Sequence, residues 1–341
     1  MTDEQLDWPA IRDAARRLER GELVAFPTET VYGLGADAEN RCAVTYIYEA
    51  KGRPSNHPVI VHVAPEADLS YWVQSVPEDA RKLIAAFWPG PLTLILKRAE
   101  NIPDTVSGGQ DSIGIRCPSH PVAQALLRTF KDGKGGVAAP SANKFGHVSP
   151  TTAQHVRDEF GPNNPLVQCV LDGGQSEVGI ESTIVDLSRG RAVLLRPGHI
   201  DIDALSVVLA YVPALPDAEA PRASGTLDAH YAPSTPVVLV EGTELVSVLT
   251  RLNAAGYRAA LMQYSESDIS DISVTTTIRL SKDASAYAHD LYAALREMDE
   301  TKADVIVVET PPSGEAWRGI NDRLRRAAHD SAGILERLLT A

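Results

Sequence analysis

Short apolar segments recur along the whole chain, and each ends in a loop that carries hydroxyl groups, glycine or a basic residue. Examples are Leu23–Phe26, Val59–Val63 and Ser182–Asp186. They have the length of buried β strands, and amphipathic helices such as Trp8–Glu19 lie between them. None approaches the ~20 apolar residues that a membrane-spanning helix needs. The pattern predicts an α/β fold whose strand-end loops form a polar site.

The pattern of helices and strands changes near Val212. A length of 341 residues suits two domains. Before Val212 the elements mix irregularly, which predicts a mixed sheet flanked by helices. A stretch rich in Pro, Ala and Gly follows and is typical of a linker. Regular strand–helix alternation beyond it predicts a smaller open-sheet domain. We therefore place a first domain at 1–212, a linker at 213–235 and a second domain at 236–341.

Charge and cysteine content limit the classes of function. Acidic residues outnumber basic ones by 45 to 32, which gives a net charge of −13. A protein that coats nucleic-acid phosphates is normally basic, so an enzyme acting on small molecules is favoured. Cys42, Cys117 and Cys169 form no CxxC pair, which argues against a disulfide framework or a structural zinc site. The segment Met1–Trp8 is acidic and lacks the apolar core of a signal peptide, so we expect a cytoplasmic protein.

Four loop segments and one strand offer groups that suit an anionic nucleotide and a small anionic co-substrate. They combine hydroxyls, carboxylates, glycines and basic side chains in Pro27–Gly35, Lys51–Pro54, Ser112–Arg116, Ala138–Asn143 and Leu195–Gly198. Lysine supplies a point charge and arginine a two-pronged donor, both suited to phosphate or carboxylate oxygens. Each segment taken singly is equally compatible with a capped loop, a solvated turn or a structural salt bridge.

Familiar catalytic and nucleotide motifs are missing from the sequence. It contains no GxxxxGK[ST] motif, and alanine stands where Gly33-Leu-Gly35 would need its third glycine. We interpret this segment as a tight turn after the strand that ends at Phe26. The nine histidines are scattered without metal-ligand spacing, and no Ser-His-Asp triad follows from their order.

Six ordered motifs resemble those of the YrdC/Sua5 family of threonylcarbamoyl-AMP synthases. They are Phe26–Gly35, Lys51–Pro54, Phe87–Thr93, Ala139–Asn143, Glu181–Asp186 and Leu195–Gly198. The C-terminal half resembles the extra domain of the long, Sua5-type members, through His230–Pro233, Leu291–Arg296 and Gly319–Leu324. The resemblance therefore spans nearly the whole chain.

The resemblance implies both a fold and a reaction. The fold is a YrdC-like twisted mixed sheet flanked by helices, with a smaller Rossmann-like α/β domain at the C-terminus. The family is a nucleotidyltransferase that makes threonylcarbamoyl-AMP and pyrophosphate from L-threonine, bicarbonate or CO2, and ATP with Mg²⁺. The product serves the t6A37 modification of tRNA, through a tRNA threonylcarbamoyltransferase. Strong direct nucleic-acid binding and membrane contact are not expected.

The same resemblance assigns two sets of binding residues. The threonine set is Thr30, His62, Arg116, Ala139 and Ser182. The ATP set is Lys51, Arg53, His57, Ser112, Ser141, Asn143, Ser149, Arg196 and Tyr231. Arg116 is expected to pair with the substrate carboxylate through two hydrogen bonds, and Ala139 to contribute its backbone.

No residue is assigned as a nucleophile or as a metal ligand by the resemblance. Lys51, Arg53 and Ser182 are expected to position the reactants. His57 stands where the family commonly has asparagine, so its contact with ATP is open and is expected to depend on pH.

Two other functions stay open at this point. YrdC-type clefts are described as binding double-stranded RNA, but both halves of this chain are acidic. Carbamoyl-phosphate-linked transfer, as in hydrogenase-maturation relatives, goes with acylphosphatase and zinc-finger segments for which this chain lacks the cysteines. We further hypothesise that the second domain positions the linker, with Tyr231 over the nucleotide, as a lid. The oligomeric state and the order of substrate binding are not predicted.

Overall fold

The computed structural model describes residues 5–266 and 269–340. The first four residues of the acidic N-terminal segment therefore lie outside the described part of the chain. Two compact units are present. One comprises Met1–Phe145 with Ser149–Thr226, and the other comprises Gly146–Val148 with Leu227–Ala341. The division after Thr226 falls inside the segment for which we predict a linker.

The first unit carries six α helices and nine strands among its described residues. The helices are α1 (Trp8–Glu19), α2 (Arg41–Lys51), α3 (Glu78–Phe87), α4 (Pro121–Thr129), α5 (Ala153–Phe160) and α6 (Ile202–Leu209), with short 3-10 helices at Leu69–Tyr71 and Phe130–Gly133. The strands are β1 (Val24–Phe26), β2 (Gly33–Asp37), β3 (Ile60–Val63), β4 (Leu92–Lys97), β5 (Ser112–Arg116), β6 (Gly136–Ala138), β7 (Cys169–Val170), β8 (Thr183–Asp186) and β9 (Val193–Arg196).

The nine strands form one mixed sheet in the order β7-β1-β2-β6-β3-β5-β4-β8-β9. Strand β3 runs parallel to β5, and β4 runs parallel to β8, while β4 and β5 are antiparallel. This arrangement confirms the predicted mixed sheet flanked by helices.

Alternating side chains give the two faces of this sheet different surroundings. One face carries Leu94, Ile113 and Ile115, which belong to the large core cluster. The opposite face carries Ile60, Ile95 and Ile184, which form a smaller apolar cluster. We call this second face the site face, because Arg116 and Arg196 lie on it by the same alternation.

The Gly33–Gly35 segment corrects one of our expectations. Instead of a tight turn, it begins strand β2, which pairs antiparallel with β1. The glycines serve close packing inside the sheet. A Cβ atom at Gly35 would lie 2.7 Å from the side chain of Val137 and 2.8 Å from that of Phe26.

The second unit is built around a four-stranded parallel sheet, which confirms the predicted smaller α/β domain. Its strands are β10 (Val237–Val240), β11 (Ala259–Gln263), β12 (Thr276–Arg279) and β13 (Val305–Glu309), in the order β10-β13-β11-β12. Its helices are α7 (Leu245–Ala254), α8 (Ala284–Glu300), α9 (Arg318–Ala327) and α10 (Ile334–Thr340), with short 3-10 helices at Glu315–Trp317 and His329–Ser331. Within the described ranges, no helix combines the length and the apolar character required to cross a bilayer.

Candidate active site

Arg116, at the end of β5, is held by three groups from two loops. Its Nη1 donates to the Thr30 hydroxyl at 2.8 Å, and its Nε donates to the Gly90 carbonyl at 3.3 Å. Its Nη2 lies 2.7 Å from Oε1 of Glu29. The Arg116 and Glu29 side chains are only 5% and 3% exposed, so this is a buried ion pair with little solvent screening.

Glu29 and Thr30 are fixed by the loop that joins β1 to β2. The Thr28 hydroxyl lies 2.9 Å from that of Thr30 and donates to the Val31 carbonyl at 2.6 Å. Oε2 of Glu29 accepts the backbone N–H of Ser119 at 3.1 Å. The guanidinium therefore has a defined orientation before any substrate arrives.

His62 lies beside Arg116, because these two residues are paired in the parallel β3–β5 ladder. Its ring meets that of Phe26 edge to face, with the ring centres 5.9 Å apart. Burial, followed by the nearby Arg116 charge, lowers the pKa of His62 from 6.5 to about 3. The imidazole is therefore neutral at physiological pH, and it can both donate and accept a hydrogen bond.

The depressed pKa of His62 predicts a pH-dependent stability. Between pH 6.5 and about 3 the unfolded chain takes up a proton at this residue and the folded chain does not. The free energy of unfolding should therefore fall with decreasing pH, by about 1.4 kcal/mol per pH unit from this group. Urea unfolding of the chain and of His62→Gln checks this, with the exposed His329→Gln as control. Equal pH slopes for all three proteins would contradict it.

Lys51 ends helix α2 and reaches across to a second loop. Its Nζ donates to the backbone carbonyls of Ser141, at 2.7 Å, and Asn143. The following Gly52 adopts a left-handed conformation, with φ of 62°, which lets the chain turn directly after the helix. Burial, followed by the charge of Arg53, places the pKa of Lys51 well below its usual value.

Arg53 and His57 are arranged around Phe145. The Arg53 guanidinium lies 5.7 Å from the centre of the Phe145 ring and donates to the Pro58 carbonyl at 2.9 Å. The His57 ring meets the same phenyl ring edge to face. Partial burial, followed by the charges of Arg53 and Arg222, lowers the pKa of His57. The residue at the family's asparagine position is thus beside Arg53.

Ser182 and Arg196 meet at the other side of the site face. Nε of Arg196 donates to the Ser182 carbonyl at 3.0 Å, and Nη2 donates to the Ser182 hydroxyl at 3.1 Å. The same hydroxyl lies 2.8 Å from the hydroxyl of Thr93 on β4. Arg196 is 3% exposed, so its charge is also held away from bulk water.

The loop after β6 runs alongside the start of β2. The Leu34 N–H donates to the Pro140 carbonyl at 2.8 Å, and Gly33 forms an isolated bridge with Ser141. Asn143 is buried, and its side-chain amide donates to the Lys144 carbonyl. The backbone N–H of Ala139 donates to the Ile60 carbonyl at 2.8 Å, so only its carbonyl is left for a backbone contact.

Two further predicted serines are buried in the first unit. Ser112 begins β5 and is 3% exposed. The hydroxyl of Ser149 donates to the carboxylate of Glu181, which is itself buried. Their placement leaves the ATP contacts assigned to them as expectations.

The first part of the predicted linker lies on the site face of the first unit. The Ser224 carbonyl accepts from Nη1 of Arg196 at 2.7 Å, and its hydroxyl is 3.5 Å from Nη2 of Arg53. Ala220 and Ala223 pack against the apolar cluster of this face. Residues 213–226 are thus part of the surroundings of both arginines.

Tyr231 belongs to the second unit. Its side chain is 1% exposed and stacks against Tyr292, with the ring centres 5.8 Å apart. The Arg323 guanidinium lies 5.5 Å from its ring centre, and its backbone φ is 62°. The expected contact of Tyr231 with a nucleotide stays a prediction.

The first unit brings most of the predicted residues onto a few neighbouring strand ends. Thr30, His62 and Arg116 come together, Lys51 joins Ser141 and Asn143 through their carbonyls, and Ser182 joins Arg196. Sequence reasoning did not assign Glu29, Thr93 or Glu181. The sequence carries a signal for all three, because Glu29 stands between two hydroxyl residues, Thr93 ends the Phe87–Thr93 motif and Glu181 begins the Glu181–Asp186 motif.

The chemistry of this arrangement is that of binding and orientation. Four buried cations, Lys51, Arg53, Arg116 and Arg196, are pre-positioned in a chain of strong negative charge. Such groups stabilise developing negative charge on phosphoryl or carboxylate oxygens without having to reorganise. Over the described ranges there is no grouping of three or more His, Cys, Asp or Glu side chains that suits a metal ion.

Comparison with known proteins covers both units. A family model described as "Telomere recombination", which unites Sua5, YciO and YrdC proteins, matches residues 16–198. A model described as "Threonylcarbamoyl-AMP synthase, C-terminal domain" matches residues 199–329.

Similar curated proteins extend over nearly the full chain. Threonylcarbamoyl-AMP synthase of Pyrococcus abyssi is 36% identical over 336 residues, covering 95% of this chain and 96% of the relative. The Bacillus subtilis enzyme of the same name is 37% identical over 337 residues, covering 96% of each. The crystal structure of P. abyssi Sua5 complexed with L-threonine superposes with a TM-score of 0.86 at 35% identity, covering 93% of this chain and 94% of that one. The chain therefore belongs to the Sua5/YrdC family of threonylcarbamoyl-AMP synthases, as its motifs indicated.

Proposed function

We propose that this chain forms threonylcarbamoyl-AMP and pyrophosphate from L-threonine, bicarbonate or CO2, and Mg-ATP. The observation that carries the proposal is the buried guanidinium of Arg116, fixed by Thr30 and Glu29 on the sheet face that also holds Arg196. A carboxylate substrate and a polyphosphate substrate each need a buried cation of this kind, and the site supplies two, Arg116 and Arg196. The relation to named threonylcarbamoyl-AMP synthases supports the same reaction.

The threonine half of the site centres on Arg116. Its guanidinium can pair with the substrate carboxylate, and the neutral His62 beside it can exchange hydrogen bonds without adding charge. Thr30, Ser182 and the backbone of Ala139 complete the set that we propose for this substrate. The threonine complex of the P. abyssi relative supports this half.

The ATP half centres on Lys51, Arg53 and Arg196. We propose that their charges bind the phosphates. The polar contacts that we propose are His57, Ser112, Ser141, Asn143 and Ser149. Tyr231, a residue of the second unit, is proposed as a further nucleotide contact. Mg²⁺ is expected to enter with ATP and to neutralise phosphate charge there.

The reaction that we propose needs no protein nucleophile. The threonine nitrogen, which starts as an ammonium group, forms a bond to the carbon of CO2 or bicarbonate and loses two protons, which gives a carbamate. When the substrate is bicarbonate, hydroxide leaves the carbon and takes up one of these two protons to form water. A carbamate oxygen then bonds to the α-phosphorus as the bond to pyrophosphate breaks. Negative charge gathers around phosphorus, so fixed cations and positioning supply the rate. We further propose a cytoplasmic role in t6A37 synthesis, with transfer of the product to a tRNA threonylcarbamoyltransferase.

The function can be tested by supplying purified chain with threonine, bicarbonate and Mg-ATP. We expect pyrophosphate release that depends on both threonine and bicarbonate, and an adenylate with the mass of threonylcarbamoyl-AMP. Reactions without threonine, without bicarbonate or with serine are the controls. Pyrophosphate release that ignores threonine would contradict the proposal, and salt-sensitive tRNA binding tighter than ATP binding would favour an RNA-binding role.

Residues 213–226 are proposed to close over the nucleotide as part of the active site. Their contacts with Arg196 and Arg53 support this. A chain ending at residue 212 should show at least a tenfold higher KM for ATP than one ending at residue 226, a difference of about 1.4 kcal/mol. Both variants lack the same second-unit residues, so the comparison isolates this segment. Equal KM values in two folded variants would rule out the role.

A further inference from the structure

We propose that Thr93 is a positioning residue, which orients the Ser182 hydroxyl so that its proton points toward bound threonine. This inference rests on the proposed function, because it assigns the direction of one hydrogen bond within the threonine site. Thr93 is fully buried, and it lies outside every set of binding residues discussed so far.

Thr93 lies in the sheet between two members of the threonine set. Strand β4 lies between β5, which carries Arg116, and β8, which follows Ser182. Thr93 pairs with Ile184 on β8, and its neighbour Leu94 pairs with Ile115 on β5. A side chain on β4 at this level therefore lies between Arg116 and Ser182.

Packing fixes which way the Thr93 side chain is turned. A Cβ atom built on Gly114 would lie 3.5 Å from the Thr93 methyl group, so this methyl faces β5 across the glycine. The hydroxyl lies on the other side, 2.8 Å from the hydroxyl of Ser182. The β-branched side chain has few other rotamers, so the hydroxyl is held in this direction.

Counting donors at Ser182 shows why that direction matters. A serine hydroxyl has one proton and two lone pairs. Arg196 Nη2 already donates to one lone pair. If Thr93 donates to the other, the Ser182 proton must point to a third group, and threonine is the substrate that we place there. If instead Ser182 donated its proton to Thr93, its hydroxyl would have no proton left to donate to bound threonine.

The test replaces Thr93 by valine in the full chain, which keeps the shape and removes the hydroxyl. Threonine affinity from calorimetry and kcat/KM for threonine should both fall about tenfold, the effect of one hydrogen bond of about 1.4 kcal/mol. The affinity for a non-hydrolysable ATP analogue should change less than about twofold. Thr93→Ser, which restores the donor, should recover the wild-type values.

A double-mutant cycle separates positioning from general damage. If Thr93 acts through Ser182, Thr93→Val should have no further effect on threonine affinity in a Ser182→Ala background. Thr183→Val is the matched control, because it removes a buried hydroxyl that donates to the Ile200 carbonyl in the same sheet. Its threonine affinity should stay at the wild-type value.

Three results would overturn the positioning role. They are an equal loss from Thr93→Val with and without the Ser182 hydroxyl, a failure of Thr93→Ser to recover affinity, and a loss of affinity in Thr183→Val as large as in Thr93→Val. Calorimetry measures threonine affinity directly, so this test does not require the enzyme to turn over. A wild-type chain that binds threonine but makes no adenylate would refute the proposed function alone, while absence of threonine binding would refute both.

Discussion

Replacement of Arg116 by alanine is expected to reduce threonine-dependent pyrophosphate release at least a hundredfold. The guanidinium is the fixed partner that we propose for the substrate carboxylate, and loss of a charged hydrogen-bonding group of this kind costs about 3 kcal/mol or more. The affinity for an ATP analogue should change far less, since Lys51, Arg53 and Arg196 remain. Steady-state kinetics and calorimetry measure both quantities.

The same substitution should also destabilise the first unit. Glu29 is 2% exposed, and without Arg116 its carboxylate would be buried without its cation. Breaking such a pair from one side lowers the free energy of unfolding by about 3–5 kcal/mol. Urea unfolding should therefore show a large loss for Arg116→Ala.

Two companion variants distinguish the stability effect from the binding effect. Adding Glu29→Gln to Arg116→Ala should recover part of the stability, because the uncompensated charge is gone, but none of the activity. Arg116→Lys keeps the charge but lacks the planar fork, so it should fold normally and still bind threonine poorly. Full activity in Arg116→Lys would contradict the role of the fork.

The fold could be predicted wherever periodicity decides the structure. The helix Trp8–Glu19 begins and ends where its apolar spacing and flanking residues indicate. Strand β2 could not be recognised, because Gly33-Leu-Gly35 has no β propensity and forms a strand only through packing against Phe26 and Val137. Strand β12 is short and alternately half-buried and exposed, so its apolar signal is weak.

The site could be predicted as a set of residues but not as a set of contacts. Motif order identified Arg116, yet its partner Glu29 stands 87 positions earlier and meets it only through the sheet. Thr93 and Ser182 are likewise joined only because β4 and β8 are neighbours. Side-chain partners across a sheet depend on strand order, and strand order is not written in local sequence.

Replacement of Lys51 by methionine is expected to reduce adenylate formation at least a hundredfold and to raise the KM for ATP. Lys51 is 3% exposed, and its ammonium group donates to the Ser141 and Asn143 carbonyls. Methionine keeps an unbranched side chain but cannot donate, so the two carbonyls lose their donor and the phosphates lose a cation.

The matched control is Lys144→Met, which removes an exposed lysine three residues beyond Ser141. It should keep wild-type kinetics, because its charge is solvated. Lys51→Arg should be nearly as impaired as Lys51→Met, since a planar guanidinium does not fit the position of a compact ammonium between two carbonyls. Equal activity of Lys51→Met and Lys144→Met would refute a phosphate-binding role for Lys51.

A proton measurement tests the same lysine independently of turnover. In the free enzyme, burial and Arg53 lower the pKa of Lys51 well below its usual value. Phosphate oxygens close to the amine would raise that pKa again, because they favour the charged form. At alkaline pH, where the free amine has begun to lose its proton, binding of an ATP analogue should then be accompanied by proton uptake, seen in calorimetry as a dependence on the buffer's ionisation enthalpy. This uptake should disappear in Lys51→Met and persist in Lys144→Met; uptake that is unchanged in Lys51→Met would assign the proton to another group.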